Sequence, residues 1–286
     1  MKIAPALLVL TLGLLPLYAF SQADYHKEIR KYAIELYASF SKTQKFSGQL
    51  SFADTSRLKW NNLPVGLRAR AGTSIGNMNN DQRRLVHRLL SASLSSQGYL
   101  KATGIMHLDE LINRFYDTLY VNKTLPEDAY GFVRKLQWSP SNFFFAFFGS
   151  PEESQWGFKL EGHHLSLNLT FVNNKISVTP LFVGTDPAEY LFSEYAGWRV
   201  LGQEEDLGLK LVNSLTDQQK KTAIKSSEVP RDIITAAESG KRLVDNWGIK
   251  ASQLTPQQKV VLENIVKEYV FNLEHEKAVM EYNKIT

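Results

Sequence analysis

The stretch Trp156-Gly157-Phe158-Lys159-Leu160-Glu161-Gly162-His163-His164-Leu165-Ser166-Leu167-Asn168-Leu169-Thr170-Phe171-Val172 decides how the chain is read. Its second half alternates apolar and polar residues. Side chains on a strand alternate faces with period two, so Leu165, Leu167, Leu169 and Phe171 share one face, and His164, Ser166, Asn168 and Thr170 share the other. The whole run reads as one long strand, with Gly162 as the natural place for a bulge. On an unbroken strand Glu161 and His163 lie at the end of the core face. A bulge moves Glu161 across to join His164.

Working outward, Asn142 to Gly149 (Asn-Phe-Phe-Phe-Ala-Phe-Phe-Gly) has the length and composition of a buried strand, followed by a loop through Ser150-Pro151 to Ser154. Asn173-Asn174 tolerates the positive φ of a tight turn, and Lys175 to Val183 returns as a third strand. Pro180 marks that strand as an edge, or as bulged there. The prediction is a three-stranded antiparallel meander.

Both flanks carry helical periodicity. Tyr32, Leu36, Tyr37 and Phe40 form a stripe from Asp24 to Phe40, and helices are predicted from Asp81 and over Leu100 to Leu119. Between them a turn-rich stretch holds Trp60-Asn61-Asn62-Leu63-Pro64 and Gly72 to Gly76. After the meander, helical stripes cover Pro187 to Tyr195, Glu204 to Leu215, Gln218 to Lys225 and Gln257 to at least Tyr282. A capping residue three before a glutamine recurs at Ser41/Gln44, Asn79/Gln82, Thr216/Gln219 and Thr255/Gln258, the last with Pro256 between. The oxygen of the first accepts from the third backbone N–H while the glutamine reaches back, so each pair predicts a helix start. No fixed period supports a repeat architecture. The fold class is therefore α+β, mostly helical with a central antiparallel β-meander packed against helices. No Gly-Ser linker divides it, which predicts a single domain over residues 24–286.

Residues 1–23 differ from the rest. Lys2 precedes an apolar run from Ile3 to Leu17, too short and too interrupted by Pro5 and Pro16 for a membrane span. Ser21 and Ala23 supply the small residues of a cleavage site, so the segment reads as a signal peptide and the chain as secreted or periplasmic. No later stretch is apolar enough to span a bilayer. The 286-residue chain has 33 Lys plus Arg, 29 Asp plus Glu and a net charge of +4, with both signs interspersed, which argues against nucleic acid as a partner. It has no cysteine, which excludes disulfides, thiolate metal ligands and a thiol nucleophile.

Chemistry concentrates on the long strand. His163, His164 and Glu161 are residue types that ligate Zn, Fe or Mn, although adjacent histidines on a regular strand point apart. Alternatively, an imidazole acts as a general base on Ser166 or water, with Glu161 fixing its tautomer and Asn168 donating to a developing oxyanion. Equally, a histidine on an apolar face is a core residue satisfied by a carbonyl, and Ser166, Asn168 and Thr170 are the wet side of an antiparallel sheet. Arg199 and Glu205 are candidates for ligand binding, or for a salt bridge with each other. Trp156 is a candidate for stacking on a sugar, or for packing. The expectations are a His-containing pocket, with a hydrolytic or metal-assisted reaction on a small molecule, or a non-catalytic binder of saccharide or peptide, or a structural envelope protein.

The segment Trp156-Gly157-Phe158-Lys159-Leu160-Glu161-Gly162-His163-His164-Leu165-Ser166-Leu167-Asn168 resembles the bacterial and fungal proteins grouped as domain of unknown function 3500 (DUF3500). The resemblance extends through Thr179-Pro180-Leu181-Phe182-Val183-Gly184, Asp186-Pro187-Ala188 and Leu201-Gly202-Gln203-Glu204-Glu205-Asp206. Upstream it takes in Trp60 with Pro64, Asp81-Gln82-Arg83 and Gly98-Tyr99. The chain departs at Phe158-Lys159, where the family often has Trp-Arg, and at Thr185-Asp186, where Ala-Asn is common. The resemblance implies a shared fold and a shared site around His163 and His164. It implies no particular reaction.

Overall fold

The computed structural model describes residues 23–285, apart from Asn174 and all of 231–246 except 233, 235, 237 and 244. The segment read as a signal peptide lies outside the described residues, as does Asn174 of the predicted Asn173-Asn174 turn. Asn173 does take the positive φ expected of it, at 51°.

Helices α1 (Ala23–Ser39), α2 (Lys42–Gly48), α3 (Asn80–Ser93), α4 (Ser96–Val121) and α5 (Glu127–Leu136) precede the central strands. Helices α6 (Gly202–Ser214), α7 (Asp217–Ala223), α8 (Pro256–Val270) and α9 (His275–Ile285) follow them. Short strands β1 (Gln49–Leu50) and β2 (Thr73–Ser74) flank β3 (Phe144–Phe148), β1 running parallel to it. Then come β4 (Gln155–Gly162), β5 (Leu165–Val172), β6 (Lys175–Ser177) and β7 (Leu181–Val183). Among the described residues the sheet order is β1-β3-β4-β5-β6, with β2 also on β3 and β7 also on β5. The α+β class and the antiparallel meander are as expected. No helix among the described residues is long and apolar enough to cross a membrane.

The predicted long strand is two strands. Gly162 pairs with Leu165, so His163 and His164 form the turn of a β-hairpin, and His164 adopts a left-handed φ of 54°. Nothing in the turn resembles the Asn-Gly pairs that usually announce a two-residue hairpin. The register follows from the turn. Leu160 faces Leu167, Phe158 faces Leu169 and Trp156 faces Phe171, all on one side. Phe145 and Phe147 of β3 join that side, and Ile29, Leu36, Val86, Leu89, Leu90 and Ile105 of α1, α3 and α4 close over it. Fully burying each such side chain is worth about 1.5–3 kcal/mol.

The opposite side carries Lys159, Glu161, Ser166 and Asn168, and it is not wet. Each of the four is at most 2% exposed: the segment 51–72, without regular helix or strand beyond one short 3-10 turn, bonds to Lys159 and Glu161, and β7 with Pro180 meets Ser166 and Asn168. Three other expectations fail. The predicted third strand, Lys175 to Val183, is broken at 178–180 into β6 and β7, which pair with opposite ends of β5. Pro187 to Tyr195 forms only a 3-10 turn at Ser193–Tyr195, because an extended pairing of Tyr190 with Trp198 takes the place of helix. The predicted helix from Gln257 breaks between Val270 and His275, where Leu273 bridges Leu94.

All four capping boxes form, starting α2, α3, α7 and α8. Their glutamines do more than cap. Gln44 and Gln82 exchange side-chain amide hydrogen bonds of 3.0 and 2.9 Å, and Gln82 also donates to the Ser39 carbonyl. Gln219 and Gln258 do the same at 2.9 and 3.0 Å, with Gln258 donating to the Ser214 carbonyl. In each case the first residue before the cap is apolar and buried: Phe40, Met78, Leu215 and Leu254. The arrangement of α1, α2 and α3 thus recurs in α6, α7 and α8, and the two copies meet where Leu94 pairs with Leu273. The same glutamine clasp between helix ends is built twice in the chain.

Replacing Gln82, 3% exposed, strips a cap, an amide pair and a carbonyl donor at once. Gln82→Ala is expected to cost about 2–4 kcal/mol in urea unfolding, and Gln219→Ala, on the more open copy, about 1 kcal/mol.

Candidate functional site

Four consecutive residues, Glu161-Gly162-His163-His164, carry four different jobs, and each is visible in its contacts. Glu161 is buried on the polar side of β4. Its Oε2 lies 2.9 Å from Lys159 Nζ, and its Oε1 accepts from the Asn61 N–H at 2.7 Å, with Arg70 Nε at 3.6 Å. Lys159 Nζ donates onward to the Ser56 and Lys59 carbonyls, and Arg70 to the carbonyls of Asn61, Leu63 and Gly162. Arg57 reaches Thr170 Oγ1 at 3.3 Å. Charged side chains therefore satisfy the irregular backbone of 51–72, which would otherwise bring buried carbonyls to the sheet without partners.

Gly162 serves packing. A Cβ there would sit 2.4 Å from a ring carbon of Phe143, so only glycine lets that ring lie against the strand.

His163 is 4% exposed, and its Nδ1 lies 2.7 Å from Oδ1 of Asp109 on α4. Burial pushes the Asp109 carboxyl above the usual carboxylate range. The hydrogen bond from His163 and its nearby charge work against this, while Asp186 pushes it further up. The Ser139 N–H also donates to Asp109. With Nδ1–H given to the carboxylate, His163 keeps the lone pair of Nε2, which has no hydrogen-bond partner among the described residues.

His164 forms the strained corner. Its N–H donates to the Asn62 carbonyl at 3.2 Å and its carbonyl accepts from Gly184 at 2.8 Å. A left-handed φ on a non-glycine residue costs about 1–3 kcal/mol, and these bonds hold it in place. The ring lies 4.1 Å from that of His163 and donates to the Thr185 backbone, leaving Nδ1 buried without a partner. Burial, and secondarily the His163 charge, lower its pKa to about 4.

The remaining candidates are not brought to the imidazoles. Ser166 Oγ accepts from Asn168 Nδ2, which also donates to the Pro180 carbonyl, so Asn168 has no donor left for an oxyanion. Glu161 does not fix a histidine tautomer, because its oxygens are taken by Lys159 and the Asn61 N–H; Asp109 has that role. The donor set His163, His164 and Glu161 is not assembled for a metal, and among the described residues no group of three or more His, Asp or Glu side chains is. Trp156 is fully buried, stacked on Phe171 at 4.1 Å in the helix-side core. Arg199 pairs with Glu205 and Asp206 at 2.8 Å each at the head of α6.

Near the dyad opens a cleft of about 150 Å³, with neither His163 nor Asp109 on its lining. Trp138 and Asp186 line it, and both also touch the dyad's surroundings: the Trp138 ring is 6.2 Å from that of His163, and Asp186 acts on Asp109. Asp109 itself was visible in the sequence only as half of an acidic pair with Glu110. It lies 54 residues before His163, and nothing local links the two.

A family model described as "Protein of unknown function (DUF3500)" matches residues 22–286. No curated protein and no solved structure matches the chain.

The lowered pKa of His164 has a sign that can be checked. Unfolded, the ring takes up a proton near pH 6.5, and folded only near 4, so its contribution to stability is complete above pH 6.5 and is lost as pH falls to about 4. That window is worth about 3 kcal/mol. Asp109, with a raised pKa, works oppositely, favouring the fold below its unfolded pKa and losing that contribution as pH rises. His164→Asn keeps a residue suited to positive φ and removes the titration. Urea unfolding between pH 7 and 4 should show a flatter stability profile in this variant than in the parent. At neutral pH, Glu161→Ala should cost about 3–5 kcal/mol by stranding Lys159 and Arg70 in the interior.

Proposed function

The chain belongs to the DUF3500 family, and from the geometry of its site we propose that it is an exported hydrolase-type enzyme whose general base is His163, oriented by Asp109. The observation that carries this is the 2.7 Å bond from His163 Nδ1 to Asp109, which fixes the tautomer and leaves Nε2 as an acceptor. A carboxylate holding an imidazole this way stabilises the imidazolium that forms when the ring takes a proton. Ser166 is not placed as nucleophile, since it is fully buried and bonded to Asn168. In this reading water, deprotonated by His163, adds to the acyl carbon of an ester held from the cleft at Trp138, and the imidazolium returns the proton to the leaving oxygen as the ester C–O bond breaks. The buried surroundings of the pair strengthen its electrostatics relative to water. Export rests on residues 1–23, with their lysine, apolar run and small residues before Asp24.

The test is turnover of a panel of p-nitrophenyl esters by purified protein. The expected result is measurable hydrolysis that falls by about 10²–10⁴-fold in His163→Gln and in Asp109→Asn, with near-UV circular dichroism preserved. A folded His163→Gln protein that hydrolyses at the parental rate, or a parent inactive on the whole panel, overturns the reading. For export, mass spectrometry of chain recovered from the periplasm or medium of a bacterial host should find Asp24 as the first residue. A retained leader would overturn that part.

A further inference from the structure

The cleft beside the dyad has a composition that selects for charge. Five aromatic rings follow one another around it. Trp138 stacks on Tyr116 with centroids 5.5 Å apart, Tyr116 meets Phe115 edge-on at 5.4 Å, Phe115 stacks on Phe192 at 4.2 Å, and Phe192 meets Tyr190 at 6.0 Å. All five line the cleft. The polar end of Tyr190 is turned away, its hydroxyl donating to the Leu111 carbonyl at 3.2 Å, so the ring rather than the phenol serves the wall.

The charged groups on the lining are both acidic, Asp186 and Glu189. Asp186 also acts on Asp109, which stands off the lining. The basic groups nearby are placed elsewhere. Arg114 acts on Tyr190 but is not on the lining, and Arg134 is engaged with Asn113 and Asp117 in the polar cleft on the other side of Trp138. A neutral apolar ligand would be served by the rings alone and gains nothing from two carboxylates. An anion would be repelled by them. Ring faces attract a cation through their quadrupoles, and the attraction is largest for a weakly hydrated organic ammonium group that can shed its water.

From these rings and carboxylates we infer that the cleft holds the cationic head of a small organic ammonium compound, with the rings of Trp138, Tyr116, Phe115, Phe192 and Tyr190 around the head and Asp186 and Glu189 balancing its charge. This deepens the proposed reaction by naming the class of substrate group that the cleft anchors beside His163. It rests on that reading for the chemistry but not for the binding.

Isothermal titration of the full chain separates the two. The probes are choline, benzyltrimethylammonium and 3,3-dimethylbutan-1-ol, the neutral isostere of choline. The expected result is binding of both ammonium compounds, with the isostere about tenfold weaker or more. Asp186→Asn and Phe192→Leu, the latter at a half-exposed ring, should each weaken choline binding by a similar factor, and His163→Gln should leave it unchanged while ester turnover falls about 10²–10⁴-fold. Equal affinity for choline and its isostere identifies a neutral apolar site and overturns the inference, as does failure of both cations to bind at millimolar concentration. Ammonium binding without any turnover would sustain this inference and sink the proposed reaction.

Discussion

The architecture depends on one buried carboxylate. Glu161, held by Lys159 and the Asn61 N–H with Arg70 alongside, is where the sheet and the segment 51–72 are joined. A sheet with apolar residues on one side only would leave Lys159, Ser166 and Asn168 in water and the segment 51–72 without anything to lie on. Instead the strand charges hydrogen-bond that segment's carbonyls, and an irregular stretch becomes a second dry layer. A buried ion pair contributes little net stability against an apolar alternative. Its value here is positional: Asn62 and Trp60 are set against the hairpin, so His164 finds an acceptor for its N–H and Phe182 a stacking partner at 4.8 Å.

The hairpin turn then converts strand geometry into site geometry. Because Gly162 and Leu165 are paired, the two imidazoles leave the sheet together at its end instead of pointing to opposite sides. One turns to Asp109 on α4, the other folds against Gly184 and Thr185. The helix-side core holds α4 at the right height through Ala102 and Ile105, so the same packing that buries the aromatic strands also fixes the 2.7 Å contact of the dyad. Site and fold are not separable at this point of the chain, and the expense of a left-handed histidine is met by bonds from both sides.

Much of this was legible in the sequence, and the failures share one cause. Helix starts are local signals, and Ser41, Asn79, Thr216 and Thr255 all cap as their spacing to a glutamine demands. The apolar alternation of Leu165 to Phe171 gave the core face correctly. What escaped depends on partners distant in the chain. Glu161 reads as the end of the core face until the turn at His163-His164 sets it on the other side with Lys159, under 51–72. Asp109 looks like helix-surface acidity until the hairpin turn arrives beside it. The turn itself was read as continuing strand because His163-His164 lacks glycine and asparagine, and only tertiary bonds to Asn62 and Gly184 make the positive φ tolerable. Trp138 and the aromatic cleft gave no periodic signal, since its walls come from α4, from the residues after α5 and from the loop after β7.

The reciprocal glutamine pairs carry one more consequence. Each side chain terminates its own helix and clasps the opposite one, so a single rotamer jump at Gln258 would fray α7 and α8 in the same instant. The amino-terminal copy is braced by aromatic strands behind it. Among the described residues no strand backs the carboxy-terminal copy, and the two glutamine amides of Gln219 and Gln258 are the latch between its helix ends, which leaves the chain two clasped helix pairs of unequal tenacity.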